Sequence, residues 1–156
     1  MEHEMRRKDR QISTEETLEL IERGEYGVFA TTGEEGYPYA VPVNYCYVDG
    51  KIYFHGTKEK GYKYYNICHS DKVCFTIVGN TEVLPSEFAT NYESAIIIGK
   101  AKIAEDETVR QAVFKKLIEK YSSDFMKSGM EYINKMAGVT IIYEITPEKI
   151  TGKRRK

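Results

Sequence analysis

Residues 37–48, Tyr-Pro-Tyr-Ala-Val-Pro-Val-Asn-Tyr-Cys-Tyr-Val, constrain the fold more than any other stretch. They lie between Gly33-Glu34-Glu35-Gly36 and Asp49-Gly50, both turn signals. Read as a strand, the segment is apolar on both faces. Val41, Val43, Tyr45 and Tyr47 oppose Ala40, Pro42, Cys46 and Val48. A two-sided apolar strand needs the core on one face and a second cover on the other. Proline within it requires an edge strand or a bulge.

The flanking segments supply neighbours. Tyr26, Val28 and Ala30 alternate with Gly27, Phe29 and Thr31, and residues 51–56 return from the Asp49-Gly50 turn. Val73, Phe75 and Ile77, then residues 92–104, then Val139, Ile141, Tyr143 and Ile145 complete six strands. Residues 80–91 read as a loop. Ser13-Thr14-Glu15-Glu16 is a capping box opening a helix that Gly24 ends as a C′ glycine. Residues 58–69 read as a short helix, Asp106 caps another through Tyr121, and a third lies near Ser128–Met136. Tight turns make neighbouring strands antiparallel. The expected fold is therefore mainly β, a six-stranded antiparallel barrel with peripheral helices.

Composition narrows the class. With 156 residues the chain suits one domain, 1–156, with residues 1–12 as an N-terminal arm and 148–156 as a basic tail. Hydrophobic residues are 41% and charged residues 30%, and no apolar run exceeds the length of Ala95–Ile98. Disorder and a membrane-spanning helix are both excluded on those grounds. Cys46, Cys68 and Cys74 lack metal-site spacing, and the charged start has no apolar signal segment, so a cytoplasmic protein with reduced thiols and no metal is expected. The net charge of −1 divides unevenly: residues 148–156 carry five cations against one anion, +4, leaving −5 for the rest. The tail is read as solvated, with a phosphate or nucleic-acid contact as the alternative, which the acidic body disfavours. Tyrosine is over-represented, 13 against 6 Phe and no Trp, which suits strands, interfaces and ligand pockets.

One segment carries chemistry. In Phe54-His55-Gly56-Thr57-Lys58-Glu59-Lys60-Gly61-Tyr62-Lys63 a strand ends at a glycine, and a hydroxyl and several ammonium groups precede a helix. Helical N–H groups, Thr57, Lys60 and Lys63 would favour an anion. A polar turn with solvated lysines is the alternative. His55 ends the strand beside this turn, where it can titrate near neutrality, whereas His3 and His69 read as surface residues. Nucleophile-elbow, zinc, Walker and Rossmann patterns are all missing, which argues against hydrolase, NTPase and nicotinamide-fold functions.

Several motifs in order resemble the nitroimidazole-resistance family of flavin-binding split barrels, relatives of pyridoxamine 5′-phosphate oxidase. They are Met5–Ile12, Gly36–Tyr45, Ile52–Gly56, Gly61-Tyr62-Lys63 with Asn66-Ile67, Tyr92–Ala101 and Ile150–Lys153, nearly the whole chain. The resemblance implies a Greek-key split barrel forming a homodimer with FMN at the subunit interface. It implies that Pro42, Val43 and Asn44 lie along the isoalloxazine ring, and that Phe54, His55, Gly56 and Thr57 run beside the ribityl chain and phosphate. Lys63 would bind phosphate, although an extra residue, Lys60, precedes Gly61 and is an alternative. Tyr65 stands where the family has an acidic residue. Tyr92 and Ser94 would lie in the dimer contact and bind the cofactor by lining the partner's flavin, and His55 would be the catalytic residue. The implied function is an FMN-dependent oxidoreductase acting on a small electron acceptor such as a 5-nitroimidazole, with no nucleic acid or membrane partner. A non-enzymatic FMN- or haem-binding protein on the same barrel is the alternative.

Overall fold

A computed structural model describes residues 4–156; His3 lies outside the described residues. Helix α1 spans Thr14–Arg23, and strands β1 to β4 span Gly27–Thr32, Pro38–Val43, Cys46–Val48 and Lys51–Thr57. Helix α2 (Tyr62–His69) leads to β5 (Lys72–Leu84) and β6 (Ala89–Ile103). Helices α3 (Glu107–Tyr121) and α4 (Met126–Met136) precede β7 (Thr140–Arg155). The seven strands form one antiparallel sheet in the order β2-β1-β5-β6-β7-β4-β3. No helix among the described residues is long and apolar enough to cross a membrane.

The two strands at the ends of that order are adjacent in sequence, separated only by Asn44 and Tyr45. One continuous segment therefore leaves one edge of the sheet and arrives at the other. That is possible only if the sheet curls round on itself. The segment read as one strand, 37–48, is in fact two, and the count rises from six to seven.

Its two faces are covered differently. Tyr45 lies in the barrel interior with Phe29, Phe54, Phe75 and Tyr143, and Val41, Val43 and Tyr47 pack against them. Phe54 stacks on Tyr143 with centroids 4.7 Å apart, and Phe29 meets Phe54 at 4.8 Å. On the outer face Cys46 joins Tyr53, Ile142, Val113, Phe114, Ile118 and Ile133 in a second core beneath α3 and α4, with Val48 packed on it. Helices thus cover the second half of the segment. Pro38, Ala40 and Pro42, on the same outer parity, stay exposed.

Local signals hold where they are self-contained. The Ser13 and Glu16 capping box forms, and Asp106 accepts from the Val109 N–H. Asp49 and Gly50 take φ of 49° and 79°, a type I′ turn joining Val48 to Lys51. Other expectations need correction. Residues 80–91 extend the β5–β6 ladder as a hairpin beyond a bulge after Val78. Helix α2 begins at Tyr62 rather than 58. Gly24 ends α1 with φ −59°, not left-handed; glycine is needed there because a Cβ would sit 2.5 Å from the Tyr45 hydroxyl. Residues 148–155 are not a solvated tail but the second half of β7, paired with β6. Arg154 bonds Glu93 at 2.7 Å and Glu16 at 2.5 Å, so acidic residues of the body neutralise it. Ile12 and Gln11 of the N-terminal arm dock on this same stretch, at Gly152 and Lys153.

Candidate functional site

The site arises where the barrel fails to close. The β3–β4 ladder pairs Val48 with Lys51, Tyr47 with Ile52 and Cys46 with Tyr53, then stops. Continued, it would set Asn44 opposite His55 and Val43 opposite Gly56. Instead the chain turns away, and Val43 pairs with Gly27 and Pro42 with Val28. Residues 55–57 keep β7 on one side, Ile142 opposite His55, and have no strand on the other. Pro42, lacking an N–H, sits on an edge strand as its chemistry demands.

Three side chains fix the divergence. The Asn44 amide donates to the Glu25 carbonyl at 3.2 Å. The Tyr121 hydroxyl accepts from the Tyr45 N–H at 3.0 Å, replacing the partner a ladder would have given. It also lies 2.7 Å from the Glu25 carbonyl and 2.9 Å from that of Tyr45, and its single proton serves one at a time. Inside the barrel the Tyr45 hydroxyl donates to the Ile21 carbonyl at 2.6 Å. Tyr121 therefore ties the residue leading into β1 to the link between β2 and β3 at the split. Sequence periodicity placed it only on the apolar face of a helix, and nothing local marks its hydroxyl as a clamp.

Asn44, His55, Tyr121, Ser122 and Thr140 form the polar end of a half-open cleft of about 340 Å³. Its other wall is apolar, made by Phe114, Leu117 and Ile118 of α3 and by Tyr132, Ile133 and Met136 of α4. His55 points outward, as does Tyr53, and meets solvent on one side. Partial burial, then the charge of Lys63, holds its pKa below the ordinary histidine value. At pH 7 it is a neutral imidazole, one nitrogen donating and the other accepting.

Beside the cleft the N-terminus of α2 is bare. Gly61 is its N-cap, no side chain caps it, and its first turn holds no acid. The Tyr64 N–H donates to the Gly61 carbonyl at 2.9 Å, which leaves the Tyr62 and Lys63 N–H groups without an intrahelical acceptor at the positive end of the helix dipole. Lys63 is half-buried in this turn, Lys60 places its ammonium 4.8 Å over the Tyr64 ring, and Thr57 is exposed at the end of β4. Together these groups suit a phosphate.

The structure thus brings Asn44 and His55 into one cleft, brings the charge of Lys63 to bear on His55, and puts Pro42, Val43, Gly56 and Thr57 on the two strands that part there. Phe54 is fully buried in the barrel, ring and backbone alike, so it offers no open surface to a ligand and does not make the contact expected of it. Tyr92 and Ser94 are elsewhere on the single chain. Tyr92 accepts from Arg10 at 3.4 Å, and Ser94 lines a separate shallow pocket with Ile96, Ile98 and Thr151. The apolar wall from α3 and α4 was not foreseen as part of a site, because such spacing is what any core helix shows. Among the described residues no cluster of His, Cys, Asp or Glu could hold a metal ion.

Solved structures share this architecture. A candidate 5-nitroimidazole antibiotic resistance protein from Bacteroides thetaiotaomicron superimposes with a TM-score of 0.75 at 22% identity, covering 92% of this chain and 86% of that one. A conserved hypothetical protein from Mycobacterium tuberculosis gives a TM-score of 0.82 at 18% identity, covering 97% and 90%. An FAD and heme binding protein from Mycobacterium smegmatis gives 0.73 at 16%, covering 94% and 74%. At these identities the likeness establishes the split-barrel fold. No curated protein matches the sequence significantly. The family profile described as pyridoxamine 5′-phosphate oxidase matches residues 13–154, almost the full length. With that match added to the split barrel and its cleft, this chain belongs to the pyridoxamine 5′-phosphate oxidase family.

Proposed function

We propose that this protein is a cytoplasmic, homodimeric FMN-dependent oxidoreductase that reduces a small acceptor such as a nitroaromatic compound. The observation that carries the reading is the opening between Asn44 and His55, bordered by unpaired strand edges and placed beside the uncapped, lysine-bearing start of α2. A flat polar ring needs backbone groups not already spent on a ladder, and the strand edge of Pro42–Val43 provides them. A phosphate needs donors and positive charge, which the first turn of α2, Thr57 and Lys63 provide. When bound, a flavin supplies the electron pair for reduction.

The chain's own residues do the rest. Lys63, whose charge bears on His55, is the better candidate of the two lysines for the phosphate, since Lys60 is drawn to Tyr64. Asn44 and Tyr121 keep the opening at fixed width. The apolar wall of α3 and α4 keeps water from one side of the cleft. His55, neutral at pH 7, orients an acceptor by hydrogen bonding and relays a proton to it, the other ring nitrogen taking one from water as the N–H is given up.

Absorption spectra of the purified protein, before and after addition of FMN, test this. The expected result is a two-banded flavin spectrum with stoichiometric FMN. Lys63→Ala should weaken FMN binding about tenfold or more. His55→Ala should leave affinity nearly unchanged and slow nitroimidazole reduction. Protein that stays colourless with FMN refutes the reading. A Soret band on addition of haem, without flavin binding, replaces it with haem binding on the same barrel.

A further inference from the structure

Tyr37, Tyr39, Tyr62 and Tyr65 line a half-open groove of about 630 Å³ between the β1–β2 turn and one face of α2. It is nearly twice the volume of the His55 cleft, and neither His55 nor Lys63 lines it. Tyr37 is 76% exposed, Tyr62 71% and Tyr65 58%. Exposed apolar residues scattered singly need no explanation, but rings gathered round one cavity mark a binding surface. The four hydroxyls are spent on no hydrogen bond among the described residues.

The two walls are held at fixed spacing. The Asn66 amide on α2 donates to the Thr31 hydroxyl on β1 at 2.9 Å, and both residues are buried. Gly33 lies so close that a Cβ there would meet Asn66 Oδ1 at 2.8 Å. Tyr39 and Tyr62 join the walls with ring centroids 5.4 Å apart, and Tyr65 meets Tyr64 edge-on at 5.8 Å. These contacts orient the rings in advance, so little freedom is lost when a ligand arrives. Charge then selects the ligand. Ring faces carry the negative side of the aromatic quadrupole, and Glu34 and Glu35 add two carboxylates, neither in an ion pair among the described residues. No lysine or arginine lines the groove. An anion is therefore repelled, whereas a cation gains from rings and carboxylates together. An alkylated ammonium gains most, because its alkyl groups also bury apolar area against the rings.

We propose that this groove binds a small organic cation carrying an alkylated ammonium group. The cation lies against the tyrosine rings, and Glu34 and Glu35 balance its charge. The site stands apart from the flavin reading above, which uses Lys63 and the first-turn N–H groups of the same helix for an anion.

NMR titration of the ¹⁵N-labelled full-length protein tests it, with choline as the probe and neohexyl alcohol, its uncharged isostere, as the control. Saturable amide shifts centred on residues 33–39 and 62–69 are expected with choline. The isostere should bind about tenfold more weakly. Tyr62→Ala and the double variant Glu34→Gln/Glu35→Gln should each weaken choline binding about fivefold or more. Their circular dichroism should be unchanged, because all three side chains are exposed. If Tyr62→Ala disturbs the fold, Tyr37→Ala carries the same expectation. The absence of saturable shifts, shifts centred elsewhere, or equal binding of the isostere would overturn the proposal. FMN added to the same samples keeps the two readings apart. Competition between FMN and choline would assign the groove to the flavin and refute the cation site. Choline shifts in protein that binds no FMN refute the flavin site and leave the cation site standing.

Discussion

Replacing Tyr121 by Phe removes one oxygen atom and keeps the ring, so it isolates the clamp at the strand divergence. The hydroxyl accepts from Tyr45 N–H at 3.0 Å and donates to one of two carbonyls, at 2.7 and 2.9 Å. Two neutral hydrogen bonds are worth about 1 kcal/mol each, net. Tyr45 is fully buried, so its N–H would be left unpaired, which argues for the upper part of a range of about 1–3 kcal/mol. Tyr121 is itself 36% exposed, and water entering by the cleft can recover part of the loss. The balance is about 2 kcal/mol. For a domain of this size that lowers Tm by about 4–8 °C. Urea unfolding followed by circular dichroism should show a lower midpoint with an unchanged slope, because the surface exposed on unfolding is the same. FMN affinity should fall as well, since the hydroxyl sets where β2 leaves β3. A stability loss below about 0.5 kcal/mol together with unaltered FMN affinity would refute the claim that this hydroxyl fixes the divergence.

Two further substitutions test the electrostatics. The Lys120 ammonium is buried without a hydrogen-bond partner, 3.9 Å above the Tyr45 ring, and burial pushes its pKa down to about 8. The unfolded chain therefore holds the proton more tightly. Lys120→Met should stabilise the protein by about 1 kcal/mol at pH 7, after allowance for the lost cation–π contact and partial solvation. That advantage should shrink as pH rises from about 8 towards the unfolded value near 10.5, as urea titrations at several pH values would reveal. Glu144 is 6% exposed and meets Lys51 at 2.7 Å, Lys102 at 3.6 Å and the Tyr53 hydroxyl at 3.3 Å. Burial alone would raise its pKa, but the two lysines and the hydroxyl hold it below the usual value. Its contribution is present above the unfolded pKa and lost as pH falls through the lower folded one. Glu144→Gln should cost about 2 kcal/mol at pH 7, and the difference from the parent should vanish in acid. A difference that persists at low pH would show that packing, not charge, is responsible.

What could be read in the sequence was whatever a few consecutive residues decide among themselves. The type I′ turn follows from the Asp49-Gly50 pair, and the start of α1 from Ser13 and Glu16 three residues apart. The alternation in Val28–Thr31 and Val73–Ile77 gives strands whatever their neighbours. The histidine and lysines of residues 54–63 could be nominated for the same reason: a strand end, a glycine and a helix start are local events.

The remaining features depended on partners distant in the chain. Between Tyr37 and Val48 only Asn44 interrupts the apolar pattern, and one polar residue on one face does not by itself mark a break. The break exists because Val43 finds Gly27 while Cys46 finds Tyr53. Residues 148–155 look like a charged tail until Glu93 and Glu16 meet Arg154 across β6 and α1. Tyr121 is an ordinary helical aromatic until the barrel brings the Tyr45 amide beneath it. The sequence by itself determined the short alternating strands, the Asp49-Gly50 turn and the chemical groups near His55. Only the tertiary structure decided where the barrel stays open, because an unpaired strand edge is a property of two segments and never of one.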